Sequence, residues 1–377
     1  MSAEQKTRQE KDFLGTREVP AGAYYGIHAL RAFENFPLTG RTLPREMIKA
    51  LALIKRAAAM AHVRAQELPE DLAEAIIQAC DELAAGTLDQ EMIVDPLQGG
   101  AGTAANMNVN EVIANRANEI LGKPLGSYDP ITPLGHVNRG QSTNDVFPTA
   151  VRLAAIWDLR ELVLEVARLQ EILQKKEAEF AGIVKIGRTQ LQDAVPITLV
   201  AEFSAYAEAF SRDRWRLYRV EERLRVVNIG GTAIGTGINA SRKFQHEMIR
   251  CLRDLSGVGL ARAENLVEAT QNADVFSECS GLLKPLAINL SKMASDLRLL
   301  SSGPHSAIGE ISLPAVQEGS SIMPGKVNPV MCEMLNQVSF KVYGNDLVIT
   351  HAAEMGQLEL NPFVPVIMEA LLDSLNL

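Results

Sequence analysis

The apolar positions of the chain fall into two textures. Up to about residue 145, short helical patterns alternate with turn-rich stretches such as Gly15-Thr16, Val19-Pro20-Ala21-Gly22 and Gly99-Gly100-Ala101-Gly102. Met47, Ala50, Leu51, Ile54, Ala58 and His62 keep helical spacing and predict a helix over 44–65. Two more are expected over 71–84 and 105–121. After Pro148 the pattern lengthens. Leu153, Ile156, Leu159, Leu162, Val163, Val166, Leu169, Ile172 and Leu173 sustain steps of three and four, which predicts one long bundle helix over 149–180. Similar patterns cover 198–227, 264–300, 329–350 and 362 onward. Pro285 lies inside the pattern over 264–300 and should kink it, with Gly281 placed where the ring would otherwise clash.

The expected fold is therefore all-α, or mainly so: a smaller mixed N-terminal domain over 1–145, then a long up-and-down helical bundle over 146–377. The long helices carry apolar stripes wider than a single surface helix needs, which predicts packing against further helices. The last stripe, Met368, Leu371, Leu372 and Leu375, ends without a C-cap, a glycine or a polar tail. On this reading the chain stops inside a helix of a longer protein.

Composition changes the picture little. Apolar residues make up 47% of 377 and aromatics only 5%, a mix that suits packed helices better than a β-sandwich. A net charge of −9 argues against a nucleic-acid binder but says nothing about one local anion site. The first ten residues are polar and no 18 apolar residues run together, so neither a signal peptide nor a membrane span is expected. Cys80, Cys251, Cys279 and Cys332 are too sparse for a disulfide framework and read as free thiols in a reducing cytoplasm. Between Arg212 and Arg225 acids interleave with bases, which suggests a solvated or inter-subunit face.

The chemistry concentrates in four polar clusters. Residues 102–111 (GTAANMNVNE), 140–145 (GQSTND) and 187–193 (GRTQLQD) each place a glycine, then hydroxyls and amides, ahead of an expected helix. Ordinary N-capping accounts for any one of them alone. Together they also describe an anion pocket, because helix N-termini offer free N–H groups and Ser, Thr and Asn add donors without bulk. The fourth cluster, Gly319-Ser320-Ser321-Ile322-Met323-Pro324-Gly325-Lys326-Val327-Asn328-Pro329, combines a hydroxyl pair and a lysine with two glycines and two prolines. Such a loop can move and then close over a site. There is no His or carboxylate cluster for a metal, and no glycine-rich nucleotide motif, so no cofactor is expected. His62, on an apolar helix face, reads as a packed core residue. His136, just before the second cluster, is a candidate neighbour of the site; His351 is left open.

Residues 319–329 resemble the signature loop of the aspartase/fumarase superfamily, and the other three clusters follow in that superfamily's order. The resemblance extends from Thr7 to Leu377 and is nearest to the aspartate ammonia-lyases, through 14–20 (LGTREVP), 23–28 (AYYGIH), 31–36 (RAFENF), 98–103 (QGGAGT) and 353–358 (AEMGQL). Gln190 stands where fumarases usually have His and several aspartases have Gln; Gly325 is the more fumarase-like choice. The resemblance implies reversible elimination of ammonia from L-aspartate to give fumarate, with Ser320 as base. It implies Thr103, Ser142, Thr143 and Ser321 as donors to the carboxylate that gains charge, and Lys326 and Asn328 on the other carboxylate. Asn144, Thr189 and Gln190 would lie near the amino group. It also implies a cytoplasmic homotetramer whose sites take residues from three subunits, and a small C-terminal helical domain that this chain lacks. The alternatives are a fumarate hydratase, for which Gln190 is the discriminator, and a non-catalytic truncated member of the fold.

Overall fold

The computed structural model describes residues 6–377. A hairpin of β1 (Thr7–Asp12) and β2 (Gly15–Pro20) leads into α1 (Ile27–Asn35), α2 (Arg45–Ala65), α3 (Glu70–Ala85) and α4 (Thr103–Ile120). The 37-residue α5 (Thr143–Glu179) is followed by a second hairpin, β3 (Val184–Thr189) and β4 (Gln192–Thr198), and by α6 (Leu199–Leu224). Then come β5 (Val226–Val227), α7 (Arg242–Ser256), β6 (Ala261–Arg262) and α8 (Leu266–Gln271). The long helices α9 (Asp274–Leu300) and α10 (Val330–Glu354) and the shorter α11 (Val364–Asn376) complete the order. The chain is mainly α, as its periodicity predicts.

Packing divides the chain into two units, each discontinuous in sequence. The first holds the chain up to Trp157, Glu222–Ser277 and Val348–Leu372; the second holds Asp158–Glu221, Glu278–Leu347 and Asp373–Leu377. This differs from a division at residue 145, because α5, α6, α9, α10 and α11 each run from one unit into the other.

In the first unit α2 packs against α3 and α7, and α3 against α4. Met47, Leu51, Ile54, Ile76, Leu83, Phe244 and Met248 are fully buried there, each worth about 1.5–3 kcal/mol of apolar burial. His62 is a core residue, as expected: its ring stacks on Phe244 at 4.0 Å, and Nε2 donates to the Arg139 carbonyl at 2.8 Å. The helix α4 is buried all round, and its polar residues clamp loops. Asn108 accepts from Ile93 N and donates to Glu91 O, and Asn118 makes the same pair of bonds with Ile131. Glu111 accepts from the backbone N–H groups of Gly26, His28 and Ala29. Much of the first polar cluster is thus structural.

In the second unit polar bonds tie the long helices together. Arg160 of α5 pairs bidentately with Glu221 of α6, and Tyr206 of α6 donates to Asp296 of α9. Asn336 of α10 donates to the Ser291 carbonyl of α9, and Ser280 of α9 to Asp346 of α10. Part of the charged run on α6 therefore faces inward: Asp213 is buried and accepts from Asn289.

Three expectations need correction. The third polar cluster precedes no helix directly; it is the tip of the β3–β4 hairpin, with Thr189 opposite Gln192 and Gln190-Leu191 in the turn. Neither strand has a buried face, with Val184, Val195 and Ile197 exposed, so no apolar/polar alternation marks 184–198. The pattern over 264–300 is two helices, α8 and α9, because Asn272 adopts an extended conformation between them. Helix α9 then runs on through Pro285. Finally, His351, expected just after a helix, lies inside α10, exposed and paired with Glu354.

Candidate active site

The first unit contains a cleft of about 400 Å³ at the starts of α4 and α5, lined by Thr103, Asn106, Asn138, Gln141, Ser142 and Thr143. Thr103 begins α4 immediately after Gly102, whose φ of +92° suits glycine. No hydroxyl caps this helix end; instead Gln98 Oε1 accepts from Ala105 N. At the start of α5 the capping reading does hold. Ser142 Oγ accepts from Asn144 N, while Asp145 Oδ1 accepts from Ser142 N, a reciprocal box. Asp145 is fully buried and its other oxygen accepts from Gly230 N and Thr232 N, which draws the 228–232 turn against the cleft. Burial raises its pKa to about 6. Thr143 is buried and its Oγ1 accepts from Asn106 Nδ2 at 3.1 Å.

Asn144 is held differently: its amide donates to the Ala233 carbonyl at 2.7 Å, and Ala233 lines the cleft. His136 accepts from Thr132 N and does not line the cleft. His28 does line it, carried there on α1, and burial lowers its pKa. Sequence reading passed over His28, and also over Lys55, a fully buried lysine beneath the cleft. A signal for Lys55 existed, since it falls four residues after Leu51 on the apolar face of α2.

The remaining predicted residues belong to the second unit. Thr189 and Gln190 line a cleft of about 540 Å³ at the β3–β4 turn. Gln190 (φ 53°) and Leu191 (φ 63°) are both left-handed. Two successive non-glycine residues in that region store strain that a plain connecting turn would avoid with Asn-Gly. Lys326 and Asn328 line a further cleft of about 770 Å³. The loop that carries them is pinned at its neck, where Gly319 N donates to Lys326 O at 2.7 Å and Asn328 Nδ2 to Gly319 O at 2.9 Å. Ser320 sits just inside this neck. Its Oγ accepts two backbone N–H groups, from Met323 at 3.0 Å and Ile322 at 3.3 Å. Ser321 is exposed. Thr103, Ser142 and Thr143 thus share one cleft, Thr189 and Gln190 another, Lys326 and Asn328 a third. Among the described residues no His, Cys, Asp or Glu side chains gather into a metal-binding group, and no helix is long and apolar enough to cross a membrane.

A family model described as a lyase matches residues 15–344. The aspartate ammonia-lyase of Bacillus subtilis (strain 168) is 49% identical over all of this chain and 79% of its own length. That of Escherichia coli (strain K12) is 47% identical over 98% of this chain and 78% of its own. The chain belongs to the aspartase/fumarase superfamily. Among solved superfamily members, a fumarate lyase:delta crystallin from Brucella melitensis bound to cobalt superposes with a TM-score of 0.96 at 52% identity, covering 98% of this chain and 81% of that one. A class II fumarase from Schistosoma mansoni superposes equally well at 36% identity, with the same coverage. Both structures share this scaffold, and the two aspartate ammonia-lyases are more identical to the chain than the class II fumarase is.

Proposed function

We propose that the chain removes ammonia reversibly from L-aspartate to give fumarate, with the Ser320 alkoxide as base. It is a carbon–nitrogen lyase of the aspartate ammonia-lyase type. Taking a proton from the carbon beside a carboxylate moves charge onto that carboxylate and gives an enediolate-like intermediate; loss of ammonia from the neighbouring carbon then leaves the double bond. Two demands follow. The base must be anionic at moderate pH, and donors must meet the growing charge.

The observation that carries the reading is the pair of backbone N–H groups on Ser320 Oγ. Hydrogen bonds to the charged form of an acid favour ionisation. The Thr103, Ser142 and Thr143 hydroxyls meet the second demand, with Ser321 added from the loop; a donor of this kind is worth about 3 kcal/mol in the transition state. Lys326, a point charge, and Asn328 hold the second carboxylate. Asn144, Thr189 and Gln190 surround the amino group. The partners are a small dicarboxylate and ammonia in the cytoplasm.

A complete site is assembled in a homotetramer, from clefts of different subunits. Exposed apolar side chains support this on all four long helices of the second unit: Leu164 and Ile172 on α5, Trp215 and Tyr218 on α6, Ile288 on α9, and Phe340 and Leu347 on α10. A monomer seldom leaves so much apolar surface in water. Light scattering on the purified chain should give four times the 41.0 kDa chain mass; a monomer that turns over substrate would overturn the shared site.

Gln190 favours ammonia over water as the group added to fumarate. With fumarate and ammonium, the fumarate absorbance should fall, and with fumarate in buffer alone it should not. A loss of absorbance independent of ammonium would make the chain a hydratase.

A further inference from the structure

Lys55 is a charge-bearing side chain buried beneath the first cleft, with no exposed surface at all, and the reaction as derived does not use it. Its ammonium donates to Asn138 Oδ1 at 2.8 Å and to Gln141 Oε1 at 3.0 Å. Both partners line the cleft. Burying a lysine is costly, and burial lowers its pKa to about 7, with the negative charge of Asp145 opposing that shift. A position that needed only bulk would be filled by Met or Leu.

The hydrogen bonds beyond Lys55 have a direction. A lysine ammonium can only donate, so it turns the oxygen of Asn138, not the nitrogen, toward α2. Asn138 Oδ1 accepts a second bond, from Asn106 Nδ2 at 3.1 Å. That bond fixes the Asn106 amide with its nitrogen inward, and the same nitrogen donates to Thr143 Oγ1 at 3.1 Å. The orientation leaves Asn106 Oδ1 buried without a partner. An amide free to flip would not keep a buried carbonyl oxygen unsatisfied, because that costs about 1–3 kcal/mol. A flip here would set oxygen against oxygen at Asn138. With Asn106 donating to it, Thr143 Oγ1 has one lone pair engaged, and its own proton points away from Asn106 and is left to donate elsewhere. Thr143 lines the cleft, so that proton is available to a carboxylate bound there.

We propose that Lys55 is a positioning residue that sets the donor direction of the Thr143 hydroxyl through Asn138 and Asn106. The inference rests on the reading of Thr143 as a donor to the substrate carboxylate. It gives the lysine a role in the reaction without contact with substrate.

A double-mutant cycle tests it, with kcat and KM for L-aspartate measured on the full-length chain. Thr143→Val removes the donor and should lower kcat about 100-fold. Lys55→Met in the parent should lower kcat by about tenfold or more, with a smaller change in KM. In the Thr143→Val background the same change should cost less than about twofold, because the hydroxyl it steers is already gone. Equal losses in both backgrounds would mean that Lys55 only supports the fold, and would overturn the proposal while leaving the Thr143 reading intact. A Thr143→Val variant with near-parent kcat would instead remove the donor reading and the proposal with it. If Lys55→Met does not fold, Asn106→Leu breaks the same chain one link later, with Lys55 still bonded to Asn138 and Gln141. It should show the same non-additivity with Thr143→Val, and additive losses there would count equally against the proposal.

Discussion

Ser320→Ala is expected to lower kcat for L-aspartate by about 10³-fold or more, the upper part of the range for losing a positioned general base. KM should change far less, since the proposal assigns the carboxylates to other residues. The melting temperature should stay within about 1 °C, because Ser320 Oγ bonds only to Ile322 N and Met323 N of its own loop among the described residues, and surface changes away from packed features are nearly neutral. That combination separates chemistry from folding. The rate of fumarate appearance by absorbance, with a thermal melt of the same sample, measures both. A variant that keeps more than about a tenth of the parent kcat would assign the base elsewhere, since a true base contributes at least about 10². His28 would then be the first group to examine: it lines the first cleft, and burial holds its imidazole toward the neutral form, which can accept a proton.

The long helices were legible because α5, α6 and α9 through α11 repeat apolar steps of three and four over several turns, a signal that outweighs Pro285 within α9. The hairpins were not. Strand β1 reads TRQEKD, and of its six residues only Glu10 is buried, so there is no apolar alternation to detect. Strand β4 is exposed throughout, β3 is at most half-buried, and the turn between them lacks a glycine. Helix α4 misled in another way. Residues 102–111 suggested an anion pocket, yet Asn108 and Glu111 hold backbone loops, and only the first turn reaches the cleft. A single sequence gives the residue type, not which groups it meets. The four-cluster pattern pointed to Thr103, Ser142 and Thr143, which line one cleft, and to the 319–329 loop. Lys55 stayed hidden because a lysine among apolar residues shows its meaning only once Asn138 and Gln141, more than 80 residues away, are seen to close on it.

Gly102→Ala is expected to be strongly destabilising. Two separate terms act there. The φ of +92° costs a side chain about 1–2 kcal/mol. The added Cβ would also lie 2.4 Å from the Phe147 ring, which is completely buried and has nowhere to retreat, and overpacking of that kind costs about 1–3 kcal/mol. Together they predict a loss of about 2–5 kcal/mol, or roughly 5–15 °C in melting temperature for units of this size. Activity should fall as well, since Thr103 follows directly and about 1 Å of displacement in a positioned donor can cost about 100-fold. Combining Gly102→Ala with Phe147→Leu divides the two terms: the smaller side chain relieves the collision but not the backbone strain. The double variant should therefore melt above Gly102→Ala, despite the cavity that Phe147→Leu opens by itself, and still below the parent. A Gly102→Ala protein that melts within about 1 °C of the parent would show that the turn into α4 can relax. In that case glycine would not be what sets the Thr103 hydroxyl in place.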